Sequence, residues 1–250
     1  MDMRIGIDIG STAAKAIVLD DDEIAHAVVV PTGFNGVDAA LRLADELKAR
    51  GVDPTSNPDD VVATGYGRVS VPYAGKTVTE ITCHGRGAAY LFGGNGTVID
   101  VGGQDTKVIQ LAGGKVRKFV MNDKCAAGTG KFLEVIADRM GVTQEELARL
   151  AASGQPTQIS SMCTVFAESE VISLIGKGEP RENIAYGVIE SVVVKVATLA
   201  NNLVAGDVYL TGGLCENTNV IGRLSENLKV PVKTNKHARF AGAIGAALSV

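Results

Sequence analysis

Residues 7–19 read IDIGSTAAKAIVL and residues 99–111 read IDVGGQDTKVIQL. Laid over one another, Asp8 meets Asp100, Gly10 meets Gly102 and Lys15 meets Lys107, with Ile17 over Ile109 and Leu19 over Leu111. Each copy is an apolar strand, an acidic residue, a glycine-containing turn and a second apolar strand, which is the pattern of a β-hairpin. An ordinary hairpin needs no carboxylate at the end of its first strand. Two of them in matching positions predict two similar halves with a two-fold site.

The remaining chain fits α/β halves. NGVDAALRLADELKARG (35–51) has helical periodicity and stops at Gly51, a residue suited to the position just past a helix. DVVATG (60–65) reads as a short buried strand, TCHGRGAAYLF (82–92) as a helix and GKVRKFVMN (114–122) as a strand. Helices are expected near 128–140, 143–152, 164–176 and 181–204. DVYLTGG (207–213) is a strand entering a Gly-Gly turn, followed by a helix to about residue 228, and RFAGAIGAALSV (239–250) is a helix of small residues.

The chain has 250 residues, enough for one large or two small domains. It is 46% hydrophobic and 21% charged, as a soluble globular protein with a full core should be. A net charge of −4 without a dense Lys/Arg run argues against nucleic acid and membrane surfaces as partners. MDMRIGIDIG reads as a strand rather than a signal peptide, and no apolar run of transmembrane length is expected. The expectation is a cytoplasmic protein with reduced thiols. Cys83, Cys125, Cys163 and Cys215 are then core residues, reactive thiols or metal ligands rather than disulfides.

NDKCAAGTGKFLE (122–134) looks at first like a phosphate loop. That motif needs a glycine five residues before its Gly-Lys pair and a hydroxyl residue after the lysine. Counting from Gly130-Lys131, those positions hold Cys125 and Phe132. Both anchors are missing, and the phosphate loop is rejected.

Phosphoryl transfer asks a protein for positioned N–H groups, a cation and carboxylate-held metal. The turns Gly10-Ser11-Thr12 and Gly102-Gly103-Gln104 can offer N–H groups, Lys15 a cation, and Asp8 and Asp100 can hold Mg²⁺ through its water shell. A third turn, TGGLCEN (211–217), opens a helix with Gly212 and Gly213 at its mouth. In this order DIGSTAAK, DVGGQDTK and YLTGG resemble the two phosphate segments and the adenosine segment of the actin, sugar-kinase and heat-shock-chaperone ATPase superfamily. The resemblance covers the whole chain. It implies an α/β fold of two ribonuclease-H-like halves with a nucleotide cleft between them, 1–92 plus 239–250 forming one and 93–238 the other. It also implies ATP/ADP and Mg²⁺ as cofactors. Gly10, Ser11, Thr12, Ala13, Ala14 and Lys15 would contact phosphate on one side, and Gly102, Gly103, Gln104 and Asp105 on the other. Gly212 and Gly213 would face the adenosine. Asp8 and Asp100 would be catalytic, with Gln104 placed to orient the attacking water.

Cys125 and Cys163 each sit just before or at the start of an expected helix. Helix N-termini carry partial positive charge and unpaired N–H groups, which suit thiolates and the anionic clusters they bind. The spacing lacks a C-x₂-C run, so two thiolates from each of two chains would be needed for one cluster. The residues alone leave two readings open: buried core cysteines, or cluster ligands. NDKCAAGTGKFLE, CTVFAESEVIS, ATGYGR and DVGGQDTKVI together resemble the activators of 2-hydroxyacyl-CoA dehydratases, ATPases of the BadF/BcrA type. That resemblance implies a homodimer with one bridging [4Fe–4S] cluster on Cys125 and Cys163. It further implies reduced ferredoxin or flavodoxin as electron donor and a 2-hydroxyacyl-CoA dehydratase as the partner that receives one low-potential electron. Cys83 is read as a core residue and Cys215 as incidental. The alternatives are activation of a related ATP-dependent reductase, a small-molecule kinase of the same superfamily, or a nucleotide-binding regulator without catalysis.

Overall fold

The computed structural model describes residues 3–159 and 163–250. Its first sheet contains β1 (Met3–Ile9), β2 (Ala13–Asp20), β3 (Glu23–Pro31), β4 (Val61–Thr64) and β5 (Lys76–Thr77). The order is β3-β2-β1-β4-β5; β1 and β2, and β2 and β3, run antiparallel, whereas β4 lies parallel to both β1 and β5. The second sheet contains β6 (Gly96–Val101), β7 (Thr106–Ala112), β8 (Lys115–Asn122), β9 (Val208–Gly212) and β10 (Val232–Lys233), in the order β10-β9-β6-β7-β8. Read from the other edge, β8-β7-β6-β9-β10 repeats the first sheet position for position. The duplication of the two hairpins therefore extends to two complete five-stranded sheets of ribonuclease-H-like order.

The helices are α1 (Gly36–Lys48), α2 (Glu80–Phe92), α3 (Gly130–Met140), α4 (Gln144–Ser153), α5 (Thr164–Gly176), α6 (Arg181–Ala200), α7 (Thr218–Leu228) and α8 (Ala241–Ala247). The chain divides into two compact units, one of Met1–Val98, Ile109–Lys118 and Asn235–Val250, the other of Ile99–Val108 and Phe119–Thr234. The strands β6, β7 and β8 contribute residues to both.

In the first unit, strand alternation sends side chains to both faces of the sheet. Ile5, Ile7, Ile9, Ala16 and Val18 pack with Ala39, Ala40, Leu43 and Leu47 of α1. Ile17 and Leu19 pack on the opposite side with Phe240, Ala243, Ile244 and Ala247. Helix α1 starts where Asn35 accepts the Asp38 amide at 2.8 Å, capping its first turn. Helix α8 approaches its neighbours at backbone distance. A Cβ built on Gly6 would lie 1.9 Å from the Ala243 carbonyl oxygen, one on Gly87 1.8 Å from that of Ala241, and one on Gly245 1.7 Å from that of Cys83. Only glycine permits such contacts.

The second unit buries α6 at its centre. Ten of its residues are buried, and it packs against α3, α4, α5 and α7. By length and composition this 20-residue helix is apolar enough to cross a membrane, which corrects the expectation that no such run exists; 56% of its apolar window is covered by the rest of the molecule. The elements depart from the sequence reading in several places. Helix α3 begins at Gly130 rather than 128, because Gly128 has φ +85° and Thr129 is extended. Helix α6 ends at Ala200 rather than 204, at the pair Asn201-Asn202, whose short polar side chains compete for the backbone. Strand β3 was not expected; it is a half-exposed edge strand without clean alternation.

Candidate functional site

The first hairpin holds Asp8 opposite Lys15 in the β1–β2 register. Asp8 is 2% exposed, and the Lys15 ammonium stands 3.7 Å from its Oδ2. The other oxygen, Oδ1, is buried and finds no hydrogen-bond partner among the described residues. A buried carboxylate oxygen without a donor is costly, and a hydrated cation or a water would satisfy it. Two glycines make room for this carboxylate. Gly65, at φ +87°, would put a Cβ 2.4 Å from Oδ1, and Gly242 would put one 2.6 Å from Oδ2. The Gly65 of ATGYGR is thus part of the Asp8 cage.

The turn between these strands is closed by Gly10 N–H donating to Ala13 C=O at 3.2 Å, while the Thr32 hydroxyl donates to Gly10 C=O at 2.7 Å. Ser11, Thr12 and Ala13 are at least partly open to solvent; the Ala14 side chain is in the core and can contribute only backbone.

The second hairpin is built on the same plan with a different charge balance. Asp100 is 2% exposed; its Oδ1 accepts from the Thr211 hydroxyl at 2.7 Å, and its Oδ2 lies 3.6 Å from Lys107 Nζ. Lys107 is 1% exposed and also meets Asp105 at 2.7 Å. Among the described residues this lysine meets two carboxylates, whereas Lys15 meets one. Gly102 N–H donates to Asp105 C=O at 2.9 Å, and Gln104 is exposed at the tip. Thr211 precedes the Gly-Gly turn. Gly212 has φ +82°, and its Cβ would sit 2.4 Å from Val101 C=O; Gly213 donates to that same carbonyl at 3.0 Å and is itself exposed. Asp100 and the Gly212-Gly213 turn are therefore one assembly. A hydroxyl 111 residues away from Asp100 carried no signal in the sequence.

Cys125 and Cys163 are both exposed free thiols, and both line one cavity of about 1110 Å³ in the second unit. Cys163 occupies the N-cap position of α5. Cys125 lies in an irregular turn five residues ahead of α3, and the first amides of that helix do not face it: Gly130 N–H donates to Gly102 C=O at 2.9 Å and Lys131 N–H to Gly103 C=O at 2.7 Å. Two open thiols lining one cavity are soft ligands of the kind an iron–sulfur centre takes, with further ligands coming from elsewhere. Cys83 is fully buried, and burial pushes its thiol above the ordinary range; Cys215 is buried as well. Neither is open to metal.

The chain is similar to known proteins over nearly its whole length. Residues 5–250 match the BadF/BadG/BcrA/BcrD ATPase family. The chain is 44% identical over 248 residues to the (R)-2-hydroxyglutaryl-CoA dehydratase activating ATPase of Acidaminococcus fermentans, covering 98% of this chain and 95% of the relative. The crystal structure of component A of that Acidaminococcus fermentans dehydratase superposes with a TM-score of 0.93 at 43% identity, covering 99% of this chain and 97% of the other. The activator of the 2-hydroxyisocaproyl-CoA dehydratase from Clostridium difficile, solved with bound ADPNP, superposes with a TM-score of 0.92 at 36% identity, covering 99% of this chain and 93% of the other. The chain belongs to the BadF/BadG/BcrA/BcrD ATPase family.

Proposed function

We propose that this member of the BadF/BadG/BcrA/BcrD ATPase family is an activator of a 2-hydroxyacyl-CoA dehydratase. It works as a homodimer that couples ATP hydrolysis to delivery of one low-potential electron to its partner. The observation that carries this reading is the pair of exposed cysteines lining one cavity in an ATPase-family chain. Two relatives named as dehydratase activators support it, one of them holding an ATP analogue. A [4Fe–4S] cluster bound by Cys125 and Cys163 of each chain would supply a one-electron carrier, loaded by reduced ferredoxin or flavodoxin.

The remaining roles belong to the chain's own side chains. Asp8, whose buried Oδ1 has no hydrogen-bond donor among the described residues, would hold Mg²⁺ through the metal's water shell, and the ion would supply charge stabilisation to the phosphates. Lys15, with one carboxylate near it, is the cation available to phosphate; Lys107 is neutralised by Asp100 and Asp105 and holds the second turn in shape. The backbone of residues 10–14 and of 102–105 binds phosphate oxygens, and Gly212 and Gly213 let the adenosine lie close to the backbone. The exposed Gln104 amide orients the attacking water without taking its proton. Binding energy from the nucleotide drives a switch between two states of the chain.

Anaerobic purification tests the reading. The expected product is brown, with about four irons per two chains, because each chain brings two thiolates. Cys125→Ser and Cys163→Ser each lose the iron and keep nucleotide binding. A colourless wild-type protein that hydrolyses ATP would falsify the electron-transfer function and leave the kinase reading standing. Restored dehydratase turnover, against restored reductase turnover, identifies the partner class.

A further inference from the structure

The second phosphate turn and the cysteine turn are joined by hydrogen bonds that neither function requires on its own. The Thr106 hydroxyl, 1% exposed, donates to Gly128 C=O at 2.7 Å, across 22 residues of sequence. Gly130 N–H and Lys131 N–H donate to Gly102 C=O and Gly103 C=O at 2.9 and 2.7 Å. The Cys125 end of the same turn is gathered by the Asn122 amide, which donates to the carbonyls of Cys125 and Ala127 at 2.9 and 3.1 Å. A continuous chain of short contacts thus runs from the carbonyls of the phosphate turn to the peptide that carries the cysteine.

The contacts have a polarity. The Gly102 N–H is held by Asp105 C=O. When Gly103 and Gln104 give their N–H groups to a phosphate, the carbonyls of those same peptide planes, Gly102 C=O and Gly103 C=O, are the ones already engaged by α3. Rotating either peptide plane toward a ligand moves its carbonyl relative to the helix amides, and hydrogen bonds tolerate little loss of angle. The N-terminus of α3 cannot stay indifferent to that rotation. Thr106 supplies the second point of attachment. Residue 128 is a glycine at φ +85°, where other side chains would be strained, and a Cβ there would also press 3.1 Å from Lys195 Cβ. Its carbonyl is therefore held in one direction, toward the strand that follows the phosphate turn. With two points fixed, the turn moves as a body with the phosphate turn rather than fraying separately.

We infer that Thr106 is a positioning residue: its hydroxyl latches the Cys125 turn to the second phosphate turn, so that nucleotide binding at Gly102–Asp105 is felt at Cys125. The inference rests on the proposed ATP-binding role of that turn. It assigns the coupling to a strand hydroxyl and to the first two amides of α3, and it does not depend on a cluster being present.

Hydrogen exchange of the full chain, read on peptides spanning 122–131, tests it with MgADPNP added or withheld. In wild type the nucleotide changes exchange there by about fivefold or more, the usual size of coupling between two sites. Thr106→Ser keeps the hydroxyl and keeps the response. Thr106→Val removes it and loses the response while still binding MgADPNP, as measured by equilibrium dialysis. A second readout is iodoacetamide alkylation of Cys125 in the iron-free chain, followed by mass spectrometry, whose nucleotide dependence is lost in the valine variant alone. A wild-type chain that binds MgADPNP without any change over 122–131 overturns the inference, whether or not the valine variant folds. So does a valine variant with a full response. A wild-type chain that binds no nucleotide overturns the proposed function and this inference together.

Discussion

Asp8 and Asp100 occupy equivalent places and have different neighbours. Asp100 is saturated by Thr211 and Lys107, whereas Asp8 keeps one buried oxygen open. Asp8→Asn should therefore lower ATP hydrolysis about 10²-fold or more, the cost of losing one preorganised electrostatic contact, and leave iron content unchanged; unaltered turnover in a phosphate-release assay would remove Asp8 from the Mg²⁺ site. The lysines should separate in the opposite sense. Lys107→Met leaves two carboxylates facing one another, Asp100 being buried, and should cost about 3–5 kcal/mol in urea unfolding. Lys15→Met should weaken nucleotide binding with a smaller loss of stability. The thiols divide as well. Burial raises the Cys83 pKa, so it stays protonated as pH rises past the point where an ordinary thiol ionises. At pH 9 the folded, iron-free chain should be alkylated at Cys125 and Cys163 and protected at Cys83; mass spectrometry showing Cys83 modified at the same rate would contradict its burial.

Helix α8 shows what a stretch of small residues does. RFAGAIGAALSV is poor in large side chains because α2 and β1 come within backbone contact of it, at Gly87, Gly245 and Gly6. Gly245→Ala would place a methyl group 1.7 Å from the Cys83 carbonyl and must push two helices apart, at a cost of about 1–3 kcal/mol or more. Thermal melting should show the drop, and an unchanged melting temperature would mean that α8 packs elsewhere. This element was legible in the sequence, as were the two hairpins: a carboxylate at the end of an apolar strand and a run of Gly and Ala are local patterns. The matching order of the two sheets follows from the same duplication. What the sequence withheld is non-local. Thr211 reaches Asp100, and Thr106 reaches Gly128, through hydroxyls that disturb no periodicity. The sequence pattern puts the start of α3 two residues early because Gly128 suits a helix as well as a left-handed turn; in the turn conformation its carbonyl meets Thr106. Gly65 and Gly242 were visible as glycines, but their task, making space for the Asp8 carboxylate, depends on three segments meeting.

The duplication suggests cutting the chain into halves at residues 92 and 93, and we keep 1–92 plus 239–250 and 93–238 as the proposed ribonuclease-H-like halves. That division leaves each five-stranded sheet whole. It does not leave each core whole. Within the first unit, Ala88 of α2 is buried in one cluster with Val98 of β6 and with Ile109 and Leu111 of β7, and Ile81, Ala89, Phe92 and Val116 pack around them. The other side of α2 meets α8 through Gly87 and Cys83. One helix therefore serves the strands that follow it and the helix that ends the chain. Removing residues 1–92 uncovers Val98, Ile109 and Leu111, each worth about 1.5–3 kcal/mol when buried. The sum is comparable with the whole stability of an ordinary domain, about 5–15 kcal/mol. A fragment 93–238 should then bind a hydrophobic dye such as ANS and melt without cooperativity. The full chain should unfold in one urea transition, with circular dichroism and tyrosine fluorescence coincident. Two separate transitions, or a fragment 93–238 that folds cooperatively and excludes the dye, would show that the halves are autonomous and that α2 is dispensable to the second sheet.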